Sequence, residues 1–140
     1  PYILLPGGNF VKKTVFVALG GALGTLFRCA LYQIPLPLGA FAHPAMTLAI
    51  NVTGSFLLGL LTILFVRKLR VPASLRLFVT AGGVGGYTTF STMSKDAVTL
   101  LRNGRVLPAA AYLAVSVLLG LAATWGGVCA GKRLERGRGA

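Results

Sequence analysis

The chain has 140 residues, 55% hydrophobic and 11% charged, with a mean hydropathy of +0.79. A water-soluble domain of this size covers its surface with far more charge, so composition excludes an ordinary soluble globule and makes lipid the solvent. Fourteen Lys and Arg stand against Asp96 and Glu135, and nearly all sit between apolar runs, which fits a grip on anionic headgroups and argues against a nucleic-acid groove.

Residues 1–11 lack the basic, apolar and small-residue succession of a cleaved signal peptide and read as a poorly ordered or interfacial lead. A helix needs about 18 or more apolar residues to cross the hydrocarbon core. Residues 14–32, 46–66, 77–100 and 107–130 meet that length, with a basic tail over 131–140. The expected fold class is therefore an all-α membrane protein of four transmembrane helices, forming a single membrane domain over 1–140. In the first run, Gly20 and Gly24 have the small-xxx-small spacing of helices in close contact, and packing is their preferred reading. That run ends near Arg28, a side chain long enough to snorkel, and Ile34-Pro35-Leu36-Pro37 forbids continuation. The second follows Pro44 and ends at Arg67-Lys68; the fourth opens around Pro108, tolerated in a first turn, and ends at Lys132-Arg133.

The third run differs. Its centre reads Gly82-Gly83-Val84-Gly85-Gly86-Tyr87-Thr88-Thr89-Phe90-Ser91-Thr92, where each glycine costs a helix about 1 kcal/mol relative to alanine. A helix broken at its centre is expected. Non-helical backbone at membrane depth must be buried in protein or line a wet cavity, and a mid-span break presents carbonyls and N–H groups suited to ions. The bland alternative is a kinked helix whose glycines only permit close packing.

Neutral hydrogen-bonding residues recur at helical spacing. Thr47, Asn51, Ser55, Gly59 and Thr62 share a face of the second run, and Tyr112, Ser116, Gly120 and Thr124 share one of the fourth. Taken singly, the small and hydroxylic positions read as interhelical glue, each contributing about 0.6–2 kcal/mol. Asn51 is the exception, because an unmatched amide in mid-bilayer costs several kcal/mol. Cys29 and Cys129 form no disulfide framework or metal spacing and read as buried packing residues. Asp96 reads as paired with Lys95, and His43 as a solvated loop residue. No nucleophile–base–acid set can be assembled, so no enzyme is expected.

Four stretches resemble the small bacterial fluoride channel family known as Fluc or CrcB: Gly20-Gly21-x-x-Gly24-x-x-x-Arg28, Thr47-Leu48-x-x-Asn51-x-x-Gly54-Ser55-Phe56-x-x-Gly59, Gly85-Gly86-x-Thr88-Thr89-Phe90-Ser91-Thr92, and Tyr112-x-x-x-Ser116. The hydroxylic run after paired glycines is the most specific of them. The resemblance implies a passive fluoride channel of the bacterial inner membrane, built as an antiparallel dimer with two pores. It implies a central sodium ion (Na+) held by main-chain carbonyls, which here belong to Gly85 and Thr88. It implies a fluoride pathway past Asn51, Thr89, Phe90, Ser91, Met93, Tyr112 and Ser116, with Gly20, Gly24, Arg28, Gly54 and Ser55 in structural positions. Three positions depart from the family pattern: Met93 stands where a second Phe is usual, Met46 where a Gly precedes Thr-Leu, and Asp96 near the place of a Glu.

Four crossings put both termini and the middle loop on one side. That side carries ten cations: Lys12, Lys13, Arg67, Lys68, Arg70, Arg76, Lys132, Arg133, Arg136 and Arg138. Only four, Arg28, Lys95, Arg102 and Arg105, fall to the other. The bias predicts cytoplasmic termini. A chain of fixed orientation would then pair with an oppositely oriented homologue as a heterodimer, whereas the family default is a homodimer. Two rival functions share the composition. A small multidrug transporter needs a carboxylate in its first helix, and 14–32 has none. A non-conducting scaffold, or partner subunit of a heterodimeric channel, would use every polar stripe as glue.

Overall fold

The computed structural model describes residues 8–65 and 71–136, which are helical apart from short connections. Arg67, Lys68, Arg70 and Arg138 of the charge count lie outside the described residues.

Helix α1 (Gly8–Leu31) runs into two tight turns at Gln33 and Ile34 and stops where Pro35 removes the next donor. A single 3-10 turn, Gly39–Phe41, leads into α2 (Ala42–Ile63). The third segment comes in pieces: α3 (Ala73–Leu77), a wide π-type stretch Phe78–Val84, α4 (Gly85–Tyr87) and α5 (Phe90–Arg102). Gly104, at φ +72°, turns the chain after α5, and α6 (Val106–Arg136) returns, with Pro108 in its first turn.

Among the described residues three helices are long and apolar enough to cross a bilayer: Phe10–Leu31, Gly39–Ile63 and Val106–Glu135. The third segment does not qualify as one continuous apolar helix. Thr88 (ψ 158°) and Thr89 (φ −153°, ψ 115°) are extended and separate α4 from α5. The bend expected in the third helix is present, and its cause is local. Glycine and β-branched residues weaken the ladder, and Thr89 then caps a new start by accepting the Thr92 N–H at 3.1 Å.

Packing divides into two halves. α1 lies against the stretch from Phe78 to Tyr87, and α2 lies against α6 with α5 beside both. In the first half backbones meet directly. A Cβ at Gly20 would overlap the Phe78 carbonyl, one at Gly24 the Gly83 carbonyl, and one at Gly86 the Gly21 carbonyl. In the second, Gly59 sits on the Thr124 carbonyl and Gly127 on that of Phe56. Small residues at such contacts let dispersion and weak polar contacts replace the hydrophobic drive that lipid removes.

One expectation is corrected here. Cys29 and Cys129 are free and exposed on the outward surfaces of α1 and α6, not packed inside. In lipid an outward apolar residue costs nothing, so an apolar sequence context does not imply burial within the chain.

Candidate functional site

The break in the third segment is held from α2. Asn51 donates Nδ2–H to the Thr89 carbonyl at 3.0 Å and accepts the Thr89 N–H on Oδ1 at 2.8 Å. One amide thereby satisfies both backbone groups that an extended residue leaves open, which accounts for an Asn at this depth. The bond also redirects a donor. In a continuous helix the Thr89 N–H would serve the Gly85 carbonyl four residues back. Here that carbonyl is met instead by a long 3.5 Å approach from the Thr88 hydroxyl. Its neighbours are engaged from α1: Thr25 Oγ1 donates to the Gly86 carbonyl at 3.2 Å, and Arg28 Nη1 to that of Thr88 at 3.3 Å.

Beside the break, α2, α5 and α6 leave a groove of about 420 Å³. Asn51, Gly54, Ser55, Thr88, Thr89, Phe90, Met93 and Ser116 line it with Gly120, Thr124 and a few aliphatic side chains, none of them charged. Thr89, Met93 and Ser116 are buried, whereas the Phe90 ring is 77% exposed and packs on little of its own chain. Ser91 is not in the lining; its hydroxyl lies 3.1 Å from that of Thr89, which also donates to Thr92 Oγ1 at 3.0 Å. Gly85 is outside the lining as well. Of the structural set, Gly20, Gly24 and Arg28 lie at the contact of α1 with the third segment. Gly54 faces the Thr88 methyl and the Tyr87 ring, and Ser55 lies within 3.7 Å of a Cβ built at Gly120.

Tyr112, one turn before Ser116 on α6, leads out of the groove to a second polar cluster. Its hydroxyl reaches Asp96 Oδ2 at 3.5 Å. Asp96 is 5% exposed and accepts Thr47 Oγ1 at 2.7 Å, while its other oxygen meets His43 Nδ1 at 2.7 Å. Tyr32 bonds Thr47 at 2.9 Å and stacks flat on the His43 ring, centroids 4.5 Å apart. Two sequence expectations are overturned. Asp96 pairs with His43 and not with Lys95, because adjacent helix residues point away from each other. His43 is in the first turn of α2, half-exposed but fixed on two sides. The signal was available: an ionisable residue inside an apolar segment calls for a named partner, and the chain has a single histidine to offer.

Among the described residues no three His, Cys, Asp or Glu gather as a metal site. What the polar groups offer instead is a row of neutral donors, Asn51, Thr89 and Ser116, on an uncharged groove; the buried Asp96 carboxylate stands outside its lining, reached by Tyr112.

Such a molecule is a small multi-pass membrane protein with a bent helix beside a polar groove. Residues 15–128 match the family model described as CrcB-like protein, Camphor Resistance (CrcB). The chain is 41% identical over 118 residues to the fluoride-specific ion channel FluC of Agrobacterium fabrum, covering 84% of this chain and 94% of that one. It is 43% identical over 118 residues to the fluoride-specific ion channel FluC 2 of Geobacillus kaustophilus, covering 83% and 92%. A third relative, the FluC of Citrifermentans bemidjiense, is 39% identical over 124 residues, covering 89% of this chain and all of that one. The chain belongs to the CrcB family of fluoride channels.

Proposed function

We propose that this chain is a passive, fluoride-selective channel of the bacterial inner membrane, which lets fluoride leave the cytoplasm. The observation that carries the reading is the uncharged groove in which Asn51, Thr89, Phe90 and Ser116 converge. Fluoride is small and strongly hydrated, so a selective path must replace its water with donors. One Asn51 N–H is committed to Thr89, and the amide has a second to offer. The Ser116 hydroxyl at rest donates to its own helix at 2.7 Å, and a hydroxyl can rotate to donate to an ion instead. Phe90 adds the electropositive edge of a ring. A path without a fixed cation holds its ion less tightly, which favours release.

The groove is open on one side, and the exposed Phe90, Val117 and Leu121 flank it. An antiparallel dimer, with the bent third segment crossing the membrane in each subunit, would close it. Gly85 and Thr88 fit a sodium ion in donor chemistry: both offer main-chain oxygens at the break, and that of Gly85 has lost its helical donor. Arg28 already occupies one side of the Thr88 oxygen, leaving the second lone pair for a cation. Sodium bound there would join the two breaks by neutral oxygens without adding a carboxylate near the anion's route.

Fluoride efflux from liposomes holding only this chain, with chloride as control, tests the proposal. Fast fluoride loss with chloride retained is expected. A second reading, a non-conducting partner subunit of a heterodimer, draws on Met93 in place of a second aromatic ring. Well-folded protein with no efflux alone, but with efflux restored by an oppositely oriented homologue, would put that reading first.

A further inference from the structure

The groove does not use the cluster around Asp96, and the cluster has its own opening. A cavity of about 260 Å³ lies over it, lined by His43, Pro44, Lys95, Asp96, Thr99 and Asn103 among others. Asp96 lines this cavity and is reached by the hydroxyl of Tyr112, one turn along α6 from Ser116 of the groove. An anion passing from this cavity to the groove would come close to a carboxylate. Thr47 and Tyr112 lower its cost through hydrogen bonds but cancel none of its charge. Among the described residues bonded to Asp96, His43 alone can do that, and only when protonated.

We infer that His43 is a proton-operated regulator of fluoride passage: its protonation neutralises Asp96 at the mouth and speeds the ion through. The inference rests on the channel reading above. With the imidazole neutral, the pair, 2.7 Å apart, carries one net negative charge and repels the anion; with the imidazole protonated, the pair is neutral. Imidazole is the side chain whose charge changes between about pH 5 and 8. Around the ring stand Tyr32, stacked on it from the end of α1, and Lys95 and Asp96 from α5; Tyr112 of α6 touches Asp96, and Arg28, one turn before Tyr32, is bonded to the Thr88 carbonyl. Arg105, after α5, lies over the Phe41 ring at the entrance to α2. No second histidine exists in the chain to share the signal.

His43 is 48% exposed, so water screens the pair and the effect is moderate. The experiment is fluoride efflux from liposomes between about pH 5.5 and 8, corrected for leakage of the weak acid through protein-free liposomes. Wild type is expected to run roughly two- to fivefold faster at the acid end. His43→Gln, which keeps a hydrogen bond to Asp96 without a titrating proton, should be flat and slow. His43→Lys, which fixes the positive charge, should be flat and fast, so each variant tests the inference if the other fails to fold. A wild-type rate independent of pH, or an equal slope in His43→Gln, overturns the inference and leaves the channel reading standing. No fluoride flux at any pH overturns the channel reading, and this inference with it.

Discussion

The two sides of the bent third segment are built on opposite plans. Towards α1, glycines on both partners bring backbone onto backbone, and a Cβ at Gly24 or Gly86 would enter a carbonyl oxygen. Towards α2 and α6, the same segment leaves a groove of about 420 Å³ in which hydroxyls, an amide and a ring stand apart. Small residues appear on both sides, yet they close one and open the other. Gly24 meets a neighbour it must touch, whereas a Cβ at Gly120 would find only the Ser55 hydroxyl at an ordinary 3.7 Å. A small residue in a membrane helix therefore has no fixed meaning until its opposite number is known.

Added bulk on each side puts this contrast under the greatest load. Gly24→Leu should prevent folding of the α1 contact, since backbone at Gly83 and Tyr87 has no rotamer with which to yield. A loss of about 3 kcal/mol or more is expected, seen as loss of the monodisperse species in detergent. Gly120→Ala should fold normally, within about 0.5 kcal/mol of wild type by thermal denaturation. Comparable stability losses in the two variants would remove the distinction between closed and open sides.

Next in size is Asn51→Asp, which separates holding the break from lining the path. The carboxylate still accepts the Thr89 N–H but confronts the Thr89 carbonyl with a second oxygen, costing about 1–3 kcal/mol. It also places a negative charge on the groove, where repulsion in a low dielectric should cut fluoride flux by about a hundredfold or more. Efflux normalised to folded protein measures this. Flux that falls only in proportion to folded protein would assign Asn51 to the backbone alone.

Much of this arrangement is legible in the sequence, for reasons that also set the limit. The apolar runs and the glycine-threonine stretch carry strong local signals, so three spans and a bent third helix follow from length and propensity. Asn51 stands out because a buried amide demands partners, yet nothing in the sequence says that they are the two backbone groups of Thr89. Long-range partners of this kind depend on how helices rotate against each other. The same limit hid the His43–Asp96 pair, whose members are 53 residues apart and whose nearer neighbours suggest a loop and a Lys95 pairing. The exposed cysteines mark a different limit: in lipid, apolar sequence no longer separates inside from outside.

The smallest expected effect concerns the open side itself. Met93 is buried on α5, three residues after Phe90, so the two side chains follow each other along the groove. Its thioether fills space and is a weak acceptor, which gives a passing anion no electropositive edge. Met93→Phe exchanges a flexible side chain for a rigid one of similar volume, so stability should change by less than about 1.5 kcal/mol. If the groove is the path, the added ring edge should raise fluoride flux about two- to tenfold, a gain of up to about 1.4 kcal/mol at the barrier. Chloride should stay excluded, because the ring narrows the passage. Liposome efflux at matched protein density measures both ions. A faster fluoride rate would place Met93 on the route, and an unchanged rate with unchanged stability would move the route away from α5, leaving Phe90 as a dimer contact.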